Sequence, residues 1–251
     1  MILMTAAHVT VIENAPDAPL GSFEQHLTAA GLTVRTVRPH AGEALPALAD
    51  LGAGLVVLGG DGTAYDDEQT PWLPGLRALL LDAATSGVPT LAVCLGAQLL
   101  AVAGGGQVTV AAPPGRETGA VRIFWRPEAR TDAVVGATAR AAAEVGGRAS
   151  VYPTDHSDAV SELPRDAVWL ASSNMYPFQA FRLGSALAVQ FHPEADAAML
   201  EQWLADAEPA ERAEALESLA QAAERAETNG AELARAFVEQ VLTTSTESVL
   251  V

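Results

Sequence analysis

Val88-Pro-Thr-Leu-Ala-Val-Cys94-Leu-Gly-Ala-Gln98-Leu-Leu-Ala-Val-Ala103 holds the only cysteine of the chain. Val88 to Val93 is a short apolar run of strand character, whereas Gln98 onward reads as helix. Cys94 therefore falls where a strand turns sharply into a helix, a placement that lifts one side chain above a sheet. Amides at the helix N-terminus aim positive potential at the sulfur and favour the thiolate, which is the nucleophilic form. A lone cysteine more often fills a core as a small hydrophobe. A second segment decides between the two.

Upstream of this turn, apolar runs alternate with helical patterns. His8 to Ile12 reads as strand, Gly21 to Ala30 as helix and Leu32 to Val37 as strand. Gly54 to Leu58 is another strand and runs into Gly59-Gly60-Asp61-Gly62, and Leu73 to Thr85 is helical with Leu73, Leu76, Leu79 and Leu80 on one face. This order predicts an α/β fold, a mostly parallel central sheet with helices on both faces. Ligands in such folds sit beyond the carboxyl ends of the strands, where Gly59 and Cys94 both fall.

Downstream the strands shorten. Ala120–Phe124, Val168–Ser172, Phe178–Arg182 and Ser185–Phe191 are candidates, with Pro113-Pro114-Gly115 and Pro153 marking connections. Residues 197 to 243 read as helices broken at Asn229-Gly230, and Thr243 to Ser248 as a frayed end. The expected organisation is one domain over residues 1–196 and an acidic helical extension over 197–251. Between Glu201 and Glu247 stand eleven acidic residues and three arginines, so the extension carries about half of the net charge of -17.

Composition narrows the function. A chain of 251 residues suffices for one well-cored domain plus extra elements. No run approaches the roughly 18 apolar residues of a membrane span, and Met1 to Ala7 lacks the basic start of a signal leader. One cysteine excludes an internal disulfide and a cysteine-based zinc cluster. A cytoplasmic enzyme is the simplest reading. There is no lysine, which removes a P-loop lysine, a Schiff base and a lysine general base together. The acidic balance argues against nucleic acid as a partner. His8, His26 and His40 lack ligand spacing, so neither a metal nor a cofactor is expected.

The deciding segment is Val189-Gln-Phe-His192-Pro193-Glu194. A thiol nucleophile needs a base to take its proton and later return one to the leaving amine. That base needs a partner to fix its tautomer, and Glu194 is placed for the task if Pro193 stiffens the turn. Taken alone, His-Pro-Glu is equally an ordinary helix start, with Pro193 in the first turn and Glu194 at the positive end.

Together the two segments resemble the class I (triad) glutamine amidotransferases, which carry G-x-C-x-G-x-Q at the nucleophile and H-P-E at the base. Cys94, Gly96, Gln98, His192, Pro193 and Glu194 match in order. Similarity to free-standing, GMP synthase-like members extends through Asp66-Asp67 to Leu73, Gly87-Val-Pro89 and Tyr176 to Arg182, covering roughly residues 50 to 195. The resemblance implies the flavodoxin-like fold of that family and a Cys94–His192–Glu194 triad. It further implies that Cys94 attacks the glutamine side-chain amide, that His192 protonates the departing ammonia, and that water hydrolyses the γ-glutamyl thioester. The candidate oxyanion donors are the amides of Gly60 and Leu95. Gly59 and Gln98 would line the substrate pocket. Asp155-His156-Ser157-Asp158 is similar to the family element that holds the amino-acid end of glutamine, which implicates Ser157 and Asp158. An ordinary turn fits Asp155 and His156 equally well. Two positions depart from the pattern: Ala92 replaces the usual glycine two residues before the nucleophile, and Asp61-Gly62-Thr63 replaces the usual proline.

The expected substrate is a small molecule, glutamine or another γ-glutamyl compound. Nothing in the chain looks like an ATP-using synthetase, so the ammonia goes to a separate synthetase subunit, or the chain is a free-standing γ-glutamyl hydrolase. The C-terminal helices suit three roles: docking such a subunit, forming a homodimer, or capping the domain. Amphipathic terminal helices usually bury their apolar face on their own fold, which favours capping. A different class is suggested by Gly59-Gly60-Asp61-Gly62-Thr63, which resembles the signature of NAD and diacylglycerol kinases and would make the chain a phosphotransferase.

Overall fold

The computed structural model describes residues 7–144 and 149–249. Residues 1–6, read above for a leader, lie outside the described residues. The first half runs β1 (His8–Ile12), α1 (Phe23–Ala29), β2 (Thr33–Val37), β3 (Gly54–Val57), α2 (Leu73–Thr85), β4 (Thr90–Val93) and α3 (Leu95–Ala103). The second half adds β5 (Gln107–Thr109), β6 (Glu117–Trp125), α4 (Gly136–Glu144), β7 (Ala149–His156), β8 (Ala159–Glu162), β9 (Val168–Ser172), β10 (Ala180–Leu183) and β11 (Ala186–Val189). Helices α5 (Ala197–Trp203) and α6 (Pro209–Val249) follow.

Among the described residues one large sheet has the order β2-β1-β3-β4-β11-β10-β9-β6-β7, and β5 pairs with β8 beside it. From β2 to β11 the pairing is parallel; from β11 to β7 it is antiparallel. Parallel strands need crossovers, which α1, α2 and α3 supply; the antiparallel half needs only short connections. Pro153, read above as a connection, lies inside β7. It is tolerated there because β7 is an edge strand, where a missing N–H breaks no ladder.

The buried strands sort their side chains with a period of two. Val9, Val11, Val56, Leu58, Leu91, Val93, Leu187 and Val189 enter one core with Phe23 of α1 and Phe237 of α6. Leu55, Val57, Ala92, Ala186 and Ala188 enter the other core with α2 and α3. The small residues on that second face let α3 ride close. A Cβ added at Gly96 would lie 2.4 Å from the Val57 carbonyl oxygen.

Asn229-Gly230 does not break the last helix. Buried Ala215, Leu219, Ala222, Ala226, Leu233, Phe237 and Val241 recur along α6 at helical spacing, and Gly230 falls in the same stripe. A Cβ at Gly230 would lie 2.4 Å from the Pro193 carbonyl oxygen, so glycine serves close packing here rather than termination. Asn229 donates its Nδ2 to the Val151 carbonyl at 3.0 Å, tying the helix to β7. Nor does the helix end at Thr243. The hydroxyls of Thr243, Thr244, Ser245 and Thr246 donate to carbonyls four residues back, and the helix continues to Val249. No helix among the described residues is long and apolar enough to cross a membrane.

In a free helix Gly→Ala gains about 1 kcal/mol. Gly230→Ala is expected to do the reverse, because overpacking against Pro193 costs roughly 1–3 kcal/mol. Thermal unfolding should register a melting temperature lowered by several degrees, and a raised one would refute the close contact.

Candidate active site

Strands β3, β4 and β11 are adjacent and parallel, so their carboxyl ends emerge side by side. Gly59-Gly60, Cys94 and His192 each follow one of them within a few residues. Cys94 sits at φ 51, ψ -107, as the residue capping α3. A left-handed backbone at a non-glycine residue costs on the order of 1–3 kcal/mol and persists where its surroundings over-determine it. The surroundings here are two hydrogen bonds, Cys94 N–H to the Val189 carbonyl at 2.8 Å and Gln98 N–H to the Cys94 carbonyl at 3.1 Å.

His192 lies against this sulfur. An added Cβ at Gly59 would stand 3.1 Å from His192 Cε1 and 4.0 Å from Cys94 Sγ, so Gly59 leaves the space in which the two meet. The Nδ1 of His192 is 2.8 Å from Glu194 Oε1, and both side chains are buried. Burial by itself would lower the basicity of His192. The Glu194 carboxylate, the charge on Cys94 and hydrogen bonds to both outweigh it and hold the imidazole pKa well above its ordinary value. The ring also leans on Trp203 of α5, with centroids 4.4 Å apart.

Gly60 and Leu95 border the same cavity as Cys94, which has a volume of about 280 Å3. Leu95 opens α3, where a helix has N–H groups without intrahelical partners. A Cβ at Gly60 would meet Asn14 Cβ at 2.8 Å, which accounts for glycine there. The Asp61-Gly62-Thr63 segment is closed by Asp66, whose Oδ2 accepts from Thr63 N–H at 2.8 Å. Ala92 is fully buried on the α2 and α3 side of the sheet, so the cavity does not feel its methyl group.

Gln98, Ser157 and Asp158 reach the cavity wall together. The Gln98 amide is committed: its Nε2 donates to the Asp158 carbonyl at 3.0 Å and to Gln190 Oε1 at 3.3 Å. Gln190 in turn approaches Cys94 Sγ with its Nε2 at 3.7 Å. Asp158 Oδ1 accepts from Ala111 N–H at 2.9 Å, while its buried Oδ2 has no partner. Asp155 and His156 end β7 rather than forming a free turn. Glu117 pairs with His156 across the ladder, and its Oε2 lies 3.3 Å from the imidazole Nε2. His156 Nδ1 is 2.9 Å from the Asp158 carbonyl, which fixes the loop that carries Ser157.

Sequence reasoning missed several residues around Cys94 and its cavity. Gln190 had a signal, an amide interrupting an apolar strand two residues before His192. Arg116 and Asp17 had none, since both arrive from distant segments. Arg116 forks onto Asp155, Nε to Oδ1 at 2.6 Å and Nη2 to Oδ2 at 2.8 Å. A second lobe of about 190 Å3 opens on the His192 side and is bordered by Asp17, Asp61 and Trp203. Burial, with a smaller contribution from the nearby Asp17 charge, raises the Asp61 pKa.

The model of the class-I glutamine amidotransferase family matches residues 20–206. Glutamine-hydrolysing GMP synthases of Methylobacillus flagellatus and Thiobacillus denitrificans are 35% and 34% identical over 144 and 143 residues, 57% and 56% of this chain. The matched region spans only 25% of each of those relatives. A solved glutamine amido transferase from Methylobacillus flagellatus superposes with a TM-score of 0.76 at 26% identity, covering 95% of both chains. A glutamine amidotransferase from Thermotoga maritima shares the fold, with a TM-score of 0.79 at 24% identity over 94% of this chain and 98% of that one.

Replacing Glu194 with glutamine removes a charge that raises the His192 pKa and leaves burial to oppose protonation. In Glu194→Gln the imidazole should titrate at lower pH, as read by NMR of the ring protons. A group whose folded pKa is raised above 6.5 stabilises the fold at pH below that value and loses this contribution as pH rises through the folded pKa. The variant should therefore lose stability at low pH and shift that loss to a lower range. An unchanged imidazole midpoint would exclude Glu194 as a source of the shift.

Proposed function

The chain belongs to the class-I glutamine amidotransferase family, and we propose that it hydrolyses the side-chain amide of glutamine through a γ-glutamyl thioester on Cys94. The observation that carries this reading is the convergence of a buried His192–Glu194 pair on a cysteine in a left-handed turn at the head of α3.

Cys94 attacks the amide carbon as a thiolate, and the oxygen of the tetrahedral adduct takes the amide N–H groups of Gly60 and Leu95. His192, held protonated by Glu194, gives its Nε2 proton to the leaving nitrogen, and ammonia departs. The neutral imidazole then removes a proton from water as that water adds to the thioester carbon. Collapse of the adduct releases glutamate and restores the thiolate and the imidazolium. Glu194 keeps the His192 Nδ1 protonated throughout, which leaves Nε2 for the proton transfers. Gly59, Gln98, Ser157 and Asp158 hold the glutamine, and the unpartnered Asp158 Oδ2 suits its α-ammonium group.

The ammonia would pass to an acceptor on a separate synthetase chain; the relatives' names, glutamine-hydrolysing GMP synthases, join amide hydrolysis to a synthesis. The lobe beyond His192 favours a second reading, a free-standing γ-glutamyl hydrolase with the same triad, because it has room for a leaving group larger than ammonia. Either reaction needs a reduced thiol, which the cytoplasm maintains.

Purified protein should release glutamate from glutamine, and Cys94→Ala should lower the rate at least about 10³-fold, as loss of a covalent nucleophile does. Release that survives the substitution would refute the thioester route.

A further inference from the structure

We propose that Arg116 is the specificity-determining residue that binds the α-carboxylate of the substrate, an inference that rests on the glutaminase reading above. Arg116 borders both lobes of the cavity around Cys94. Apart from His192, whose Nδ1 is held by Glu194 and whose Nε2 serves Cys94, and His156, whose ring nitrogens meet the Asp158 carbonyl and Glu117, it is the one basic side chain on those walls among the described residues. The other charged walls are carboxylates: Asp17, Asp61, Asp158 and Asp155 itself. Such a lining accepts an ammonium group and repels a carboxylate. An amino acid bound through its side-chain amide at Cys94 brings one of each.

Distance and geometry agree. The Asp155 carbonyl lies 4.0 Å from Cys94 Sγ, so the fork that Asp155 makes with Arg116 stands close to the sulfur. In glutamine the carboxylate carbon is four bonds from the amide carbon. Asp155 occupies two of the five guanidinium N–H groups, leaving three for a second anion, and it fixes the plane in which they lie. Glu211 of α6 is 4.0 Å from the same Nε, too far to take a hydrogen bond. On this assignment the zwitterion is read at both ends, its ammonium by Asp158 and its carboxylate by Arg116.

The competing role is positioning alone, in which Arg116 only steadies Asp155 and the loop behind it. Alkylation of Cys94, followed by mass spectrometry of the intact chain, separates the two and needs no turnover or partner. Three reagents share one reactive group: 6-diazo-5-oxo-L-norleucine, its α-methyl ester, and diazoacetone. The wild type should react with the free acid on the order of 10²-fold faster than with the ester, the size of a charge-assisted hydrogen bond. In Arg116→Gln that ratio should fall to within a few-fold of one, and Arg116→Lys, which keeps the charge without the fork, should lie between. Diazoacetone reports whether Cys94 and its turn remain intact in each variant. A positioning role would slow acid and ester together and leave their ratio unchanged in Arg116→Gln, which overturns the assignment. Equal rates for acid and ester in the wild type overturn it as well. If the wild type reacts no faster with the free acid than with diazoacetone, the glutamine reading itself fails.

Discussion

The parallel pairing of β4 with β11, Val93 opposite Val189, is the constraint on which the active edge depends. It brings together segments almost a hundred residues apart and sets the height at which each chain leaves the sheet. One residue after Val93 comes Cys94, and three after Val189 comes His192. A slip of β4 by one residue would turn it inside out, burying Leu91 and Val93 against α2 and α3 and Ala92 against α6. The dry interior on both faces is therefore what keeps the sulfur and the imidazole in register.

The His-Pro-Glu turn is gripped from both sides. Ser22, at the start of α1, donates its N–H and its hydroxyl to the Glu194 carbonyl, each at 3.0 Å. Gly21 leaves space for that same oxygen, since a Cβ there would come within 2.4 Å of it. On the far side α6 presses Gly230 against the Pro193 carbonyl. Two glycines and one serine thus hold the carbonyls of Pro193 and Glu194, and the His192–Glu194 contact inherits their rigidity. The C-terminal helix is in this sense part of the base's support, a role more specific than the capping its amphipathic sequence suggests.

Charge is distributed unevenly over the chain and over the site. The net charge of -17 is spread across the surface and the outer face of α6, where it favours solubility. Inside the cavity the balance is local. Glu194 is matched by His192, Asp155 by Arg116, and Glu117 is set beside His156 and Gln179. The buried Oδ2 of Asp158 has no such partner.

Short-range pattern in the sequence determined the strand-turn-helix at Cys94, the early β-α alternation and the His-Pro-Glu segment, because each is encoded by neighbours a few residues apart. Helix α2 could be read to its ends, Leu73 to Thr85, since its leucines repeat at helical spacing and Gly87-Val-Pro89 bars continuation. Where a residue answers to a distant partner, local pattern misleads. Asn229-Gly230 carries the signature of a helix stop, but the Pro193 carbonyl is what requires glycine there. Pro153 looks like a breaker and is admitted because β7 lies at the sheet edge. Arg116 shows nothing in its own neighbourhood, and only the antiparallel pairing of β6 with β7 brings it to Asp155. Propensity and periodicity act along the chain, whereas close approach, ion pairing and strand-edge position act across it, and only the folded chain fixes those.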